Sequence, residues 1–233
     1  MSRRNNPHAR CERCRVHLSL CFCSDLPTLP TETRLVLLIH RYEARKSTNT
    51  GRLAASCLPN SEVVVRGHEH APTPRYVPEP GRRTLLLFPH ENATPIDQVP
   101  REGAPVTLLV PDGTWRQASK VRQRVPGLTE IPCVFLPRGA PSEYRLRAEA
   151  HETGMATLEA IARAFDALGE TQVRAPLERV LRMLVERSLW SRGSIDSTDV
   201  TDGLPAEVVR HDPRSGAGLV RGFSPISTFA CST

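Results

Sequence analysis

What most constrains this chain is a set of short, unbroken apolar runs: Arg34 to His40 (RLVLLIH), Thr84 to Phe88 (TLLLF) and Val106 to Val110 (VTLLV). None alternates polar with apolar residues, so each reads as a strand covered on both faces, the habit of parallel sheets packed between helices. Glu62 to Arg66 (EVVVR) and Ile131 to Leu136 (IPCVFL) add two more strands, and the proline-rich residues 67 to 83 read as a loop. Helical patterns separate several of these runs, so the expected architecture is α/β with a mostly parallel sheet. A chain of 233 residues suits one such domain with a small appendage.

Sheets of this kind bind ligands beyond the carboxyl ends of their strands, and two strand ends here carry polar chemistry. Beyond His40, the polar stretch Glu43 to Leu53 leads into a helix expected to run to about Leu58. Ser47 to Thr50 are N-cap types, and Arg45, Lys46 and Arg52 suit contact with the phosphates of RNA. Beyond Val110 comes Pro111-Asp112-Gly113-Thr114-Trp115-Arg116-Gln117-Ala118, a tight turn opening a helical pattern from Trp115 to Val125. Thr114 and Gln117 have the spacing of a capping box. The first amides of that helix then face outward as an anion site, beside Asp112 and Trp115. On residue types alone an ordinary capped helix start explains the stretch equally well.

Cys11, Cys14, Cys21 and Cys23 crowd the N-terminal region, while Cys57, Cys133 and Cys231 are scattered. Four thiolates fit tetrahedral zinc, and a filled four-cysteine site is structural because no coordination position stays open. An iron–sulfur cluster or idle thiols are the competing readings. Met1 to Arg10 are polar and basic without a secretory h-region, and no apolar run has bilayer-spanning length, so a cytoplasmic location is expected. Net charge is +6, and lysine occurs only at Lys46 and Lys120. So arginine-rich a balance makes RNA a fair partner, although compositional bias yields the same excess.

Residues 137 to 156 lose periodicity, and an amphipathic helix follows with Leu158, Ile161, Ala162, Phe165 and Leu168 on one face. A second helix is expected after Pro176, with Leu177, Val180, Leu181, Leu184 and Val185 as its apolar side. Glu159 reads as a complement to its helix dipole. His40, His90 and His151 have no spaced partner and stay unassigned. The expected partition is an arm and four-cysteine knuckle over 1–30, an α/β domain over 31–191 and a flexible, Gly/Ser/Asp-rich tail over 192–233.

Several of these stretches together resemble the DTW-domain family: the cysteine cluster, Thr48-Asn49-Thr50-Gly51, Leu87-Phe88-Pro89, Asp112-Gly113-Thr114-Trp115 with Gln117-Ala118, Tyr144-Arg145-Leu146-Arg147 and Thr157-Leu158-Glu159-Ala160. The likeness runs through most of residues 11 to 170, departing at Ala156, where serine is expected, and at Ala150, where proline is frequent. The resemblance implies a SPOUT-like fold whose C-terminal segment is knotted around S-adenosylmethionine. It implies transfer of the 3-amino-3-carboxypropyl group to N3 of a tRNA uridine, with methylthioadenosine released. In that reading Asp112 is the base or an electrostatic anchor and Trp115 walls the pocket or stacks on a base. Phe88, Pro89, Thr114, Leu136, Tyr144, Arg145, Met155, Ala156 and Thr157 are the expected S-adenosylmethionine residues. A SPOUT-type RNA methyltransferase and a non-catalytic zinc-containing RNA-binding module are the alternatives.

Overall fold

The structure, a computed structural model, describes residues 9–68, 71–146, 154–205 and 208. These fall into two compact units, Pro27–Leu181 on one hand and, on the other, the residues up to Leu26 together with those from Arg182 onward.

The larger unit is α/β. Its strands are β1 (Arg34–His40), β2 (Ser61–Arg66), β3 (Arg83–Leu87), β4 (Thr94–Pro95), β5 (Val106–Asp112) and β6 (Cys133–Phe135). They form one sheet in the order β2-β1-β5-β3-β6-β4, and every pairing is parallel. After β1 the chain steps outward to β2, then returns to build the other half from β3. β5 enters between β1 and β3, at the point where the winding changes direction. In open α/β sheets ligands bind just beyond such a point, and the residue there is Asp112, in register with Ile39.

The continuous apolar runs are buried as expected. Leu35, Leu37, Ile39, Leu108 and Leu109 are inaccessible to solvent. On one face Val36, Leu38, Leu86 and Leu109 pack with Val121, Val125 and Leu128. A single turn, α1 (Arg41–Ala44), follows β1, and elsewhere in the unit α5 (Thr157–Ala167) packs against α2 (Gly51–Ala55) and β5, burying Leu158, Ile161, Ala162 and Phe165.

Four local expectations are corrected. The single helix expected over 115–125 is two one-turn helices, α3 (Trp115–Ala118) and α4 (Val121–Arg124). The helix expected to reach Leu58 ends at Ala55. β5 runs two residues past Val110, so Asp112 is strand rather than turn. The helix expected after Pro176, α6 (Thr171–Trp190), starts before that proline and contains it. A proline inside a helix costs about 3 kcal/mol, which complete burial of Val173, Leu177, Val180 and Leu181 offsets. The edge strand β4 had no sequence signal, being two residues long and ending in proline, which only an edge tolerates.

Of the segment expected to be a tail, residues 192–205 include a 3-10 turn, Ser197–Asp199, followed by buried Val200. The remainder except 208, together with Arg147, Ala150 and His151, lies outside the described residues. Among the described residues no helix is long and apolar enough to cross a membrane.

α5 starts without a side-chain cap, because its N-cap is Ala156. Half of a capping box is present: the Ala156 N–H donates to Glu159 Oε2 at 2.8 Å. Glu159 is more than a dipole partner, for it also accepts from Ser142 Oγ at 2.5 Å and from the Glu143 N–H at 2.8 Å. Ala156→Ser supplies the missing half, a hydroxyl for the Glu159 amide. It should raise unfolding free energy by about 1 kcal/mol, read from the urea midpoint at unchanged slope.

Candidate active site and metal centre

Asp112 closes β5 and is buried. Its Oδ2 accepts from Asn49 Nδ2 at 2.6 Å and its Oδ1 from Thr157 Oγ1 at 2.7 Å. Asn49 belongs to the loop after β1, and its own Oδ1 accepts the Arg52 N–H at 3.0 Å, which fixes the amide's orientation. Thr157 opens α5. Gly51 makes room: a Cβ there would lie 2.6 Å from Asp112 Oδ2 and 3.1 Å from Leu37 Cδ1. The same loop is tied twice more, by Tyr144 Oη donating to the Thr48 carbonyl at 2.9 Å and by the Leu158 N–H on Thr50 Oγ1 at 3.3 Å.

Beneath the turn runs a second polar chain. The Thr114 N–H donates to Gln117 Oε1 at 2.8 Å, so Gln117 must present its NH2 to His40 Nδ1, 3.1 Å away. His40 Nδ1 is thus an acceptor and the ring is neutral. Burial and then the charges of Arg66 and Arg41 push its pKa down accordingly. Arg66, buried at the end of β2, donates to the Gln117 carbonyl at 2.9 Å. Its burial pushes the guanidinium pKa down, and the field of Asp112 partly restores it. The anion site expected of the Trp115 to Gln117 amides is diminished, since α3 is one turn long and the Gln117 N–H already donates to the Thr114 carbonyl at 2.8 Å.

Around this centre the structure brings some expected residues together and leaves others at the rim. Trp115 is 40% exposed and lies 5.8 Å from Phe88, rings tilted. Pro89 and Leu136 follow β3 and β6, on the same edge of the sheet as Asp112. Tyr144 and Ala156 are buried, Met155 is half-buried and Arg145 exposed. Arg45 is exposed, Arg52 half-buried, and Lys46 is paired with the buried carboxylate of Glu43.

In the smaller unit the sulfurs of Cys11, Cys14, Cys21 and Cys23 lie within 4.8 Å of one another. Cys11 and Cys23 are 3.4 Å apart, Cys14 and Cys21 3.8 Å. A tetrahedral ion with bonds near 2.3 Å needs sulfurs about 3.8 Å apart, so the set fits a metal. Hydrogen bonds from Cys14 and Cys23 hold Cys21 far below the usual thiol range, while the hydrogen bond with Cys21 pushes Cys14 up to about 12. Arg187 of α6 serves this loop. It donates to the Leu20 and Cys21 carbonyls at 3.1 Å each, and its guanidinium lies over the Phe22 ring.

The sequence matches the family model described as DTW domain over residues 8–189. The chain belongs to the DTW-domain family. It is similar to tRNA-uridine aminocarboxypropyltransferase 2 of Drosophila melanogaster, 31% identical over 194 residues that cover 79% of this chain and 76% of that protein. The same-named protein of Macaca fascicularis is 28% identical over 184 residues, 75% of this chain and 61% of its own length. tRNA-uridine aminocarboxypropyltransferase A of Arabidopsis thaliana is 27% identical over 210 residues, 75% of this chain and 79% of that protein. No solved structure matches the chain significantly.

Within this DTW domain, sequence reasoning missed Asn49 and Gly51 as partners of Asp112, His40 with Gln117 as the prop of the turn, and Arg187 as the support of the cysteines. Only the first two had a signal, the polar N-cap types ahead of a glycine at a strand end. Gly51→Ala must displace the Asp112 carboxylate. It should lose about 1–3 kcal/mol of stability, read from the denaturant midpoint at unchanged slope. Arg187→Met removes the donor to the cysteine loop and should lower metal affinity about 10–100-fold, measured by chelator competition.

Proposed function

We propose that this chain transfers the 3-amino-3-carboxypropyl group of S-adenosylmethionine to N3 of a uridine in tRNA. The names of its relatives in the DTW family support that reaction. The observation that carries the reading is the buried Asp112 carboxylate, fixed from two sides at the sheet's switch point. S-adenosylmethionine brings the electrophile, the carbon next to its sulfonium. The N3–C bond forms as the C–S bond breaks, the electron pair leaves with sulfur as methylthioadenosine, and the imide proton passes from N3 to Asp112 or to solvent water.

Asp112 has two uses at such a centre, taking that proton or holding the co-substrate's positive charge. Donors on both oxygens keep the carboxylate in one orientation, and burial raises the strength of its field. This favours the second use. Orientation is then the main contribution of the site, presenting this carbon rather than the methyl group in line with N3. Phe88, Pro89, Thr114, Leu136, Tyr144, Arg145, Met155, Ala156 and Thr157 are assigned to the co-substrate pocket. Exposed Trp115 is assigned as the platform on which the uracil stacks, and Arg45, Lys46 and Arg52 as contacts to the RNA backbone.

The fold belongs to this proposal as a SPOUT-type sheet with a knotted C-terminal segment; the convergence of the 48–51 loop, Tyr144 and Thr157 on the end of β5 supports it. The metal is assigned as structural zinc held by Cys11, Cys14, Cys21 and Cys23, and the setting as cytoplasmic.

Incubation with unmodified tRNA and S-adenosylmethionine should yield a uridine heavier by one aminocarboxypropyl group, with methylthioadenosine as by-product. S-adenosylhomocysteine instead would make the protein a methyltransferase. Asp112→Asn should lower kcat/KM by about 10²–10³-fold and weaken S-adenosylmethionine binding. Undiminished binding together with slow turnover would return Asp112 to the role of base.

A further inference from the structure

Between Asp112 and Glu130 the sequence has no acidic residue but four cations: Arg116, Lys120, Arg122 and Arg124. Arg116, Lys120 and Arg124 are exposed, and among the described residues none of them has a salt-bridge partner. They recur every four residues along α3 and α4. Each short helix closes its own turn, α3 with the Ser119 N–H on the Trp115 carbonyl and α4 with the Arg124 N–H on that of Lys120, so three exposed cations fall within two short turns of backbone.

Arg122 differs from the other three. It borders a cavity of about 220 Å³ formed with Phe88, His90, Ser119, Gln123 and Thr129. His90 Nε2 at 3.2 Å and the Thr129 carbonyl hold the guanidinium in place, while its buried Nε has no hydrogen-bond partner. Phe88, on the wall of the cavity, also contacts exposed Trp115. A fixed guanidinium fork beside an aromatic platform, continued by a row of unpaired cations, is what a single RNA strand requires: phosphates neutralised in succession and one base stacked.

We propose that α3 and α4 form the RNA-strand cradle of this protein. Arg122 grips the phosphate next to the nucleotide stacked on Trp115, and Arg116, Lys120 and Arg124 follow the backbone onward. This rests on the tRNA reading above and names a surface for it, distinct from Arg45, Lys46 and Arg52. An acidic protein segment would use the cations but not the aromatic pair.

The test measures binding of unmodified tRNA by fluorescence anisotropy across a salt series, for the wild type, for the combined variant Arg116→Gln, Lys120→Gln, Arg124→Gln, and for Arg122→Lys. Three lost phosphate contacts should make the slope of log affinity against log salt shallower by about 2–3. Arg122→Lys keeps the charge but loses the fork. It should weaken binding several-fold with little change of slope. Unaltered S-adenosylmethionine binding checks that each variant is folded. Wild-type affinity and slope in the triple variant would overturn the cradle, even if the wild type makes the aminocarboxypropyl product. A shallower slope in the triple variant, with no product from the wild type, would keep the cradle and overturn the reaction. Wild-type protein that fails to bind tRNA would overturn both.

Discussion

A carboxylate withdrawn from water at the end of a central strand must be given donors, or the strand end will not stay folded around it. Asp112 receives them from two directions. Asn49 reaches it from the loop after β1, and Thr157 from the first residue of α5. Arg66 at the end of β2 is close enough for the two charges to feel each other. Three separate chain segments therefore converge on one anion, and the absence of a side chain at Gly51 lets the first of them approach. The geometry that folds this end of the sheet is also the geometry of the site, so neither can be altered alone.

The legibility of the fold follows the range of the interactions. β1, β3 and β5 could be read because burial on both faces writes itself as unbroken apolar runs, a local signal. The turn that follows β5 could be read in the same way, as an apolar run meeting N-cap types, although the strand itself extends to Asp112. The break between α3 and α4 was hidden, because the Val121 and Val125 side chains continue the helical period across it. Pro176 misled in the opposite sense: its local preference points to a helix start, and burial of Val173, Leu177, Val180 and Leu181 around it in α6 overrides that preference.

The site divides along the same line. Asp112, Trp115 and the four cysteines belong to compact sequence patterns. Their partners do not. Asn49 is 63 residues from Asp112, and His40 is 77 from Gln117; such pairings exist only once the strand order is known. Ala156 is the converse case, a position where serine was expected and whose physical meaning appears when Glu159 is seen closing half a capping box around it.

The support of the cysteine loop by Arg187 has a consequence for the order of events during synthesis. The Cys21 carbonyl and the guanidinium that binds it are 166 residues apart, so the four thiols leave the ribosome long before the group that holds their loop. In that interval the knuckle has only its own short chain to shape it and is open to oxidation or to the wrong ion. The loop gains this support only when α6 arrives, so a turn near the start of the sequence waits on a helix 166 residues further along.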